Sequence, residues 1–289
     1  MAGIRIEFSQ FGHFDYFEII RSDASMIGVA DSALPAPIAT NLKTMYYVDT
    51  AVVEGATYYY KIRVHRSGLS AVSATEIEAL AILGDEYFNY VELLFLTDGE
   101  VKDYSNLNRT PSVIGSYSFI PSTTIPVKYD EYSLDISDYG ALDFGTITLG
   151  LDDFTFESYV YSPNNSYLGT LLFLNGCGFN FEVPNGGSLA IRSDDYTFYR
   201  WVGITVPRNQ WNHWCVMRKD GVFYAYLNGV QKFSYSNTFN LTESTIRLFS
   251  DSSRNSTMRA DYIGSTRLTR FARYETAGFT PPSEKFRTM

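Results

Sequence analysis

The sequence predicts an all-β protein made of two sandwich domains in series. Aromatic residues make up 16% of its 289 residues, and aromatic and β-branched side chains suit the pleated, half-buried surface of a sheet. Short segments that alternate apolar and polar residues recur between Gly, Asn, Asp and Pro, and no strong amphipathic helix of useful length is found. A chain of this length can bury a core in each of two β domains.

The clearest strand pattern of the first half is the segment Tyr58–His65. Every second residue from Tyr58 onward is apolar or aromatic, whereas the positions between them include a lysine, an arginine and a histidine. Such alternation is typical of a strand with one face in a core and the other in water.

The region from Trp211 to Tyr235 predicts an antiparallel meander of three strands. Its strands are separated by the dipeptides Asp220-Gly221 and Asn228-Gly229, which tolerate the positive φ that tight hairpin turns require. If Asn228-Gly229 is a type I′ turn, a β-branched residue at Gly229 would be strained. We therefore expect Gly229→Val to destabilise the second domain.

A short polar break, Gly84-Asp85-Glu86, separates the two predicted domains. About five strand-like segments precede Leu80, which is enough for one small sandwich, and a new strand begins at Tyr90. We place the domains at residues 1–83 and 84–289.

Part of the first domain resembles the fibronectin type III family. The segment Tyr46–Val64 is similar to that family's E strand, turn and F strand, and Phe17–Ser22 is similar to its central strand. The resemblance implies a small immunoglobulin- or fibronectin III-like sandwich in which Tyr58 is the tyrosine-corner residue, with its hydroxyl tied to backbone upstream. The core Trp that the family often has is missing here.

The second domain resembles the laminin-G-like, concanavalin A-like jelly roll found in many bacteriophage tail and other virion proteins. Its landmarks occur in the family's order: an entry turn at Asp98–Asn108, a strand at Asp153–Tyr161, the meander from Asn209 to Val230, and an ending of Arg267–Tyr274 followed by Phe279-Thr280-Pro281-Pro282. That ending looks especially like phage tail versions of the domain.

These resemblances imply a non-enzymatic structural protein of a virion, such as a phage tail, baseplate or fibre component assembled in the host cytoplasm. The jelly roll would be displayed for adhesion to a host-surface glycan or protein, and the fibronectin-like domain would pack on the particle. The expected partners are other virion proteins and further copies of this chain. Two alternatives are a carbohydrate-active enzyme or its accessory binding module, and a purely architectural decoration protein.

Some members of the jelly-roll family hold a calcium ion. By that resemblance Asp103 matches the ligand in the entry loop, but Gly264 stands where the second acid would be, with Asp261 close enough to substitute. Calcium needs six to eight oxygen ligands with enough negative charge. The lost carboxylate argues against the ion, so the sequence predicts no cofactor and keeps Asp103 and Asp261 as the candidate ligands.

Charge excludes two classes of partner. The formal net charge is −9 and no run of Lys or Arg occurs, whereas binding to phosphates or to an anionic membrane needs a basic face. The first residues do not read as a signal peptide, and no apolar run is long enough to span a membrane. We expect no nucleic-acid partner and no membrane insertion.

No catalytic pattern stands out. A glycosidase needs two carboxylates flanking the scissile bond, but Glu157 and Glu182 stand alone, and Asp152-Asp153 and Asp194-Asp195 are adjacent pairs that point to opposite faces of an extended strand. We expect all of these acids to be solvated turn residues. His213 lies on the face of a meander strand that we expect to be buried, and no histidine has a metal-ligand spacing. The sequence therefore predicts that the protein is not an enzyme.

Two segments are candidate ligand-binding sites, because sugar recognition combines aromatic rings with planar polar side chains. The alternatives are an ordinary strand for the first segment, a solvated turn for the second, and contact with a neighbouring subunit. The candidate residues are Asp194, Asp195, Tyr196, Tyr199, Arg200 and Trp201 in the first segment and Asp251 and Arg254 in the second.

Strand alternation restricts the first site. It puts Tyr199 and Trp201 on one face and Arg200 on the other. Because a buried arginine is costly, a regular strand favours Trp201 inside and Arg200 outside. A binding role for Trp201 requires the opposite arrangement or a bend.

Overall fold

The computed structural model describes residues 3–81, 84–125, 127–163, 169–183, 188–193, 197–250 and 261–288. The chain divides into two compact units, Met1–Glu86 and Tyr87–Met289. The described residues contain strands and two short 3-10 helices, Asp31–Ala33 and Phe88–Tyr90, which confirms the all-β prediction.

Among these residues no helix is long and apolar enough to cross a membrane. Whether each domain folds alone with a boundary at residue 83/84 stays a prediction.

In its described part the smaller unit has seven strands in two sheets. Strands β1 and β4 form one sheet, and β3-β2-β5-β6 form the other, in which β7 also pairs with β5. The strands are β1 Ile4–Glu7, β2 Tyr16–Ser22, β3 Pro37–Leu42, β4 Tyr46–Asp49, β5 Thr57–Arg66, β6 Leu69–Val72 and β7 Ile77–Leu80.

Strand β5 supplies the centre of this unit's core. Tyr58 and Tyr60 are buried with Ile6 and Ile19, as alternation along β5 requires. The hydroxyl of Tyr58 accepts a hydrogen bond from the backbone amide of Val53 at 2.9 Å. This bond ties the start of β5 to the turn before it.

Among the described residues, the larger unit contains thirteen strands joined by one continuous network of strand pairing. They are β8 Val91–Phe95, β9 Ser112–Pro121, β10 Tyr132–Ile147, β11 Phe154–Ser162, β12 Thr170–Asn175, β13 Phe179–Glu182, β14 Ser188–Ser193, β15 Tyr199–Gly203, β16 Gln210–Lys219, β17 Val222–Leu227, β18 Val230–Ser236, β19 Ser244–Leu248 and β20 Tyr262–Thr269.

Strand β10 connects two layers of this unit. Its first half pairs with β20, which continues into β11-β16-β17-β18; we call this layer the back sheet. Its second half pairs with β19, which continues into β12-β13-β14-β15; we call this layer the front sheet. Phenylalanines of β11 and β13 meet edge to face between the layers, so the main core lies between the two sheets.

The meander predicted from the sequence forms β16, β17 and β18 of the back sheet. Both of its turns have positive φ at both central positions: 52° and 74° at Asp220-Gly221, and 53° and 75° at Asn228-Gly229. Two positive φ values are the mark of a type I′ turn. A Cβ at Gly229 would also lie 1.8 Å from the carbonyl oxygen of Phe279, a contact that the sequence pattern did not reveal.

Candidate functional site

The strand register decides which side chains lie on the outer face of the front sheet. Leu189 and Ile191 of β14 lie in the core, so Ala190 and Arg192 point outward. The same alternation puts Asn180 and Glu182 of β13 on the outer face, because the phenylalanines next to them are in the core. This face is the side of the jelly roll that carries the candidate site.

Edge strand β15 adds two aromatic rings to this face. Tyr199 lies opposite Arg192 and Trp201 lies opposite Ala190, and directly opposed residues project to the same side of a sheet. Trp201 is 55% exposed and Tyr199 is 43% exposed. The two rings form an open aromatic surface at the edge of the sheet.

The argument from alternation that favoured Trp201 inside is wrong. Arg200 lies opposite the core residue Ile191, so it is Arg200 that projects toward the core side. It is nevertheless exposed, because β15 is the last strand of the front sheet and the side chain extends past the sheet's edge. With no burial cost for the arginine, Trp201 is free to face solvent.

An arginine–glutamate pair lies next to the aromatic surface, on the same outer face of the sheet. Arg192 Nε and Nη2 donate to the two carboxylate oxygens of Glu182 at 2.8 and 3.2 Å, and both side chains are buried. Such a two-point contact fixes the planes of both groups. The expectation that Glu182 is a solvated acid is therefore wrong, because β13 places it inside a charge pair.

A second pair of this kind lies further along the face. Arg247 of β19 donates from Nε and Nη2 to the two oxygens of Asp143 on β10, at 2.7 and 2.9 Å. Asp143 and Arg247 are directly opposed in the register. The two pairs hold neighbouring strands of the front sheet together, and each carboxylate has both oxygens engaged by a guanidinium group.

The remaining predicted site residues lie outside the described part of the chain. They are Asp194, Asp195, Tyr196, Asp251 and Arg254. Of the predicted ligand-binding set, the structure places Tyr199 and Trp201 on one face and Arg200 on the other.

Both candidate calcium ligands, Asp103 and Asp261, are buried. The carboxylate of Asp103 accepts hydrogen bonds from the backbone amides of Leu94, Ser105 and Arg109 at 2.9–3.1 Å, so its oxygens face donors rather than a cation. A Cβ at Gly264 would lie 3.3 Å from the ring of Trp211 and from the Cβ of Tyr159, so an acidic side chain there would be crowded and would have to displace a neighbour slightly. The described residues contain no group of three or more potential metal ligands.

The outer face of the back sheet differs because the C-terminal segment, residues 270–288, covers it. Phe279 stacks on Tyr274 with ring centroids 3.7 Å apart and meets the edge of Tyr226 at 5.1 Å. Phe286 packs over the guanidinium of Arg267 at 4.2 Å. The backbone amide of Phe279 also donates to the carbonyl of Gly229 at 3.0 Å. The part of the ending that follows β20, from Arg270 onward, is thus the cover of a sheet face.

A buried polar network lies under this cover, centred on Glu157. Arg267 donates to Glu157 Oε1 from Nε at 3.0 Å and from Nη2 at 2.7 Å. The hydroxyl of Tyr274 donates to Oε2 at 2.6 Å, and His213 Nε2 lies 3.0 Å from the same oxygen. Glu157, like Glu182, is therefore not a solvated acid, and His213 lies under the C-terminal segment rather than in the core between the sheets.

Electrostatics keep Glu157 ionised. Burial by itself would raise its pKa, but the positive charge of Arg267 and the hydrogen bond from His213 outweigh burial and hold the pKa well below its ordinary value. Burial and the nearby Glu157 carboxylate raise the pKa of Tyr274, so its hydroxyl keeps its proton and remains a donor. Closed off from solvent, this network can stabilise the fold but cannot reach a substrate.

The sequence comparisons agree with the architecture. Residues 135–263 match the family model of the concanavalin A-like lectin/glucanases superfamily. The larger unit has a concanavalin A-like jelly-roll fold. No curated protein matches the sequence.

Solved structures with similar folds come from proteins of different kinds, all at low sequence identity. Domain 4 of AbnA, an extracellular arabinanase from Geobacillus stearothermophilus solved with arabinotriose, has a TM-score of 0.50 and 13% identity, covering 67% of this chain and 95% of that one. A botulinum neurotoxin type C structure has a TM-score of 0.49 and 12% identity over 65% of this chain, which spans about half (49%) of that chain. Tailspike protein 2 of bacteriophage CBA120 has a TM-score of 0.43 and 15% identity over 57% of this chain and 29% of that one.

Proposed function

We propose that this protein is a non-enzymatic binding module that holds a glycan on the outer face of the front sheet, at Tyr199 and Trp201. The observation that carries the proposal is the half-exposed indole of Trp201, beside a second ring and opposite the small Ala190. An apolar sugar face stacks on such a ring, and the displaced water makes contact favourable. The hydroxyl of Tyr199 adds a polar group at the same surface.

The rest of the front sheet supports this role by being rigid. The pair Glu182–Arg192 joins β13 to β14, the strand next to β15, and the pair Asp143–Arg247 joins β10 to β19 at the far end of the same sheet, so the rings are presented on a firm surface. Domain 4 of AbnA, which shares the fold, was solved with arabinotriose. A sugar chain is therefore the class of ligand that we propose first for this protein.

A glycan array probed with the full chain tests the proposal. The expected result is binding to a subset of glycans, with at least a tenfold loss of affinity in Trp201→Ala and a smaller loss in Tyr199→Ala, since one stacked ring contributes about 1 kcal/mol or more. Tyr90→Ala is the matched control, because Tyr90 is 52% exposed in the same unit but outside the front sheet. Unchanged binding in a folded Trp201→Ala protein would reject the site.

Catalysis is the competing function for this fold. A glycosidase needs one free acid and one free base or nucleophile, whereas the two carboxylates described on the front face, Asp143 and Glu182, each bind an arginine through both oxygens. That pairing supports binding rather than hydrolysis. Release of reducing sugar from an array-positive glycan would show instead that the protein is an enzyme.

We further propose that the binding module belongs to a virion, as a phage tail, baseplate or fibre component that adheres to the host surface. The support is the resemblance of the C-terminal ending to phage tail versions of the domain, an ending that covers the back sheet here. Mass spectrometry of purified particles would detect the chain if the proposal is right. Its absence from particles would favour an accessory module of a carbohydrate-active enzyme.

For the smaller unit we keep the fibronectin III-like assignment as a proposal. Two features support it: β1 pairs with β4 across from the sheet β3-β2-β5-β6, and the hydroxyl of Tyr58 accepts a bond from the amide of Val53 upstream. In a virion this unit would attach the jelly roll to the particle. Tyr58→Phe should lower the stability of the unit by about 1 kcal/mol, as loss of one buried hydrogen bond does.

A further inference from the structure

Strand β9 forms a long, uncharged edge of the jelly roll. In the described part of the chain β9 pairs only with β10, so its other side meets no strand there. The sequence has no charged residue between Arg109 and Lys128. A strand edge that carries no charged side chain and is not covered by another part of the protein pairs readily with another chain.

The other strands of this unit that pair on one side only are different. Edge strand β15 contains Arg200, edge strand β18 contains Lys232, and β8 contains Glu92. A charge on an edge strand discourages pairing, because addition of a further strand would desolvate it. The contrast singles out β9 as the edge that is left open to another strand.

Local geometry defines which part of β9 is suited to pairing. Gly115 has a φ of 75°, and the register with β10 shifts between Ser137 and Ala141, so β9 bends there into two arms. The longer arm, residues 116–121, keeps one regular register with β10. Most of its side chains are exposed, with Tyr117 at 40%.

We propose that two copies of this chain pair antiparallel through the longer arms of β9, about a two-fold axis at Ser118. In a regular arm, the backbone N–H and C=O groups of every second residue point away from β10. A symmetric pairing must therefore join two residues whose numbers are both even or both odd. An axis at Ser118 meets this condition and sets Tyr117 of each copy opposite Phe119 of the other. These rings already share a face, with centroids 5.8 Å apart within one copy, so pairing joins them into one aromatic cluster.

The self-complementary rings favour a second copy as the occupant, and charge does not oppose it strongly. Two molecules that each carry a net charge of −9 repel, but the repulsion is smallest where they meet through an uncharged surface such as β9. The nearest acid is Asp135, opposite Ser118 on β10. In the pair, two Asp135 residues would be three strand spacings apart, or about 14 Å, which is beyond the screening length of about 8 Å at physiological salt.

Sedimentation of the purified full chain at increasing concentration tests the proposal. We expect a reversible dimer, with a dissociation constant at least tenfold weaker in Ser118→Lys, because the lysine brings two like charges together at the axis. Ser234→Lys is the matched control: Ser234 is exposed on β18, an edge strand that already carries a lysine, and the change should leave dimerisation as in the wild type. A wild-type chain that stays monomeric up to about 1 mM, a concentration at which even a weak complex forms, would overturn the proposal and leave the edge to a different protein.

A cysteine cross-link tests the axis itself. Ser118→Cys should form an intermolecular disulfide on mild oxidation, because residues opposed across a two-fold antiparallel pair have Cα atoms about 4.5–5.5 Å apart, within reach of a disulfide. Ser116→Cys should not form one, because its counterpart lies four residues along the strand, or about 13 Å away. Cross-linking of Ser116→Cys, or of the wild type through Cys177, to the same extent would reject this arrangement.

Discussion

The two outer faces of the jelly roll carry similar buried charge pairs but differ in the aromatic rings that they expose. On the back sheet the C-terminal segment covers a carboxylate that binds an arginine, a histidine and a tyrosine. On the front sheet the Glu182–Arg192 pair is also buried, but the edge strand presents Tyr199 and Trp201 to solvent. The comparison indicates that aromatic and charged residues in this fold do not by themselves mark a site; what marks it is which rings the chain leaves exposed.

The largest expected difference between the faces is in stability. Glu157→Gln should lower the free energy of unfolding by about 3–5 kcal/mol, because it leaves Arg267 buried without its counter-ion. Glu182→Gln, the same change on the front face, should cost less, about 1–3 kcal/mol, because Glu182 binds only Arg192, whereas Glu157 also binds His213 and Tyr274. Denaturant unfolding of both variants measures this difference in the free energy of unfolding. Equal losses of unfolding free energy would show that the C-terminal cover does not make the Glu157 network more stabilising than the Glu182 pair.

The two turns of the meander offer a second comparison of a covered and an open position. Val at Gly221 meets only backbone strain, about 1–3 kcal/mol, because nothing lies within 4 Å of a Cβ there. Gly229→Val should have the same backbone strain and, in addition, a steric clash with the carbonyl oxygen of Phe279 in the C-terminal cover. Thermal unfolding should show Gly229→Val as the less stable variant; identical melting temperatures would mean that the segment at Phe279 moves aside freely.

Acid should weaken the network on the back face. The folded-state pKa of Glu157 lies below its ordinary value of 4.5, so its stabilising contribution is complete above pH 4.5 and is lost as the pH falls below that value. Stability measured from pH 7 downward should therefore fall below about pH 4.5 in the wild type. In Glu157→Gln that fall should be shallower, since the titrating group is gone; an equally steep fall would assign it to other carboxylates.

The smallest stability effect is expected on the open face. Trp201→Ala removes a half-exposed side chain from an edge strand, so the free energy of unfolding should change by no more than about 0.5 kcal/mol. Trp214→Ala is the contrasting variant, because Trp214 is fully buried between the sheets and its loss should cost about 3–5 kcal/mol. A large loss in Trp201→Ala would make Trp201 a structural residue.

The all-β class, the meander and its turn types follow from local signals: alternation along Tyr58–His65, and the Asp-Gly and Asn-Gly dipeptides between strands. The orientation of Trp201 could not be predicted in this way, because burial at Arg200 depends on β15 being an edge strand, which only the strand order reveals. The carboxylate networks were missed for a similar reason. A lone charge inside an apolar strand, such as Glu182 after Phe179 and Phe181, was a signal for a buried pair, but its partner lies in another strand.

Hydrogen exchange with and without the strongest glycan from the array tests the division between the two faces most directly. Binding on the front face predicts slower exchange of backbone amides in β14 and β15, where local opening is damped by the ligand. It predicts no change in the C-terminal segment around Phe279, which already covers the back sheet. Protection confined to the C-terminal segment or the back sheet, with β15 unchanged, would contradict the account.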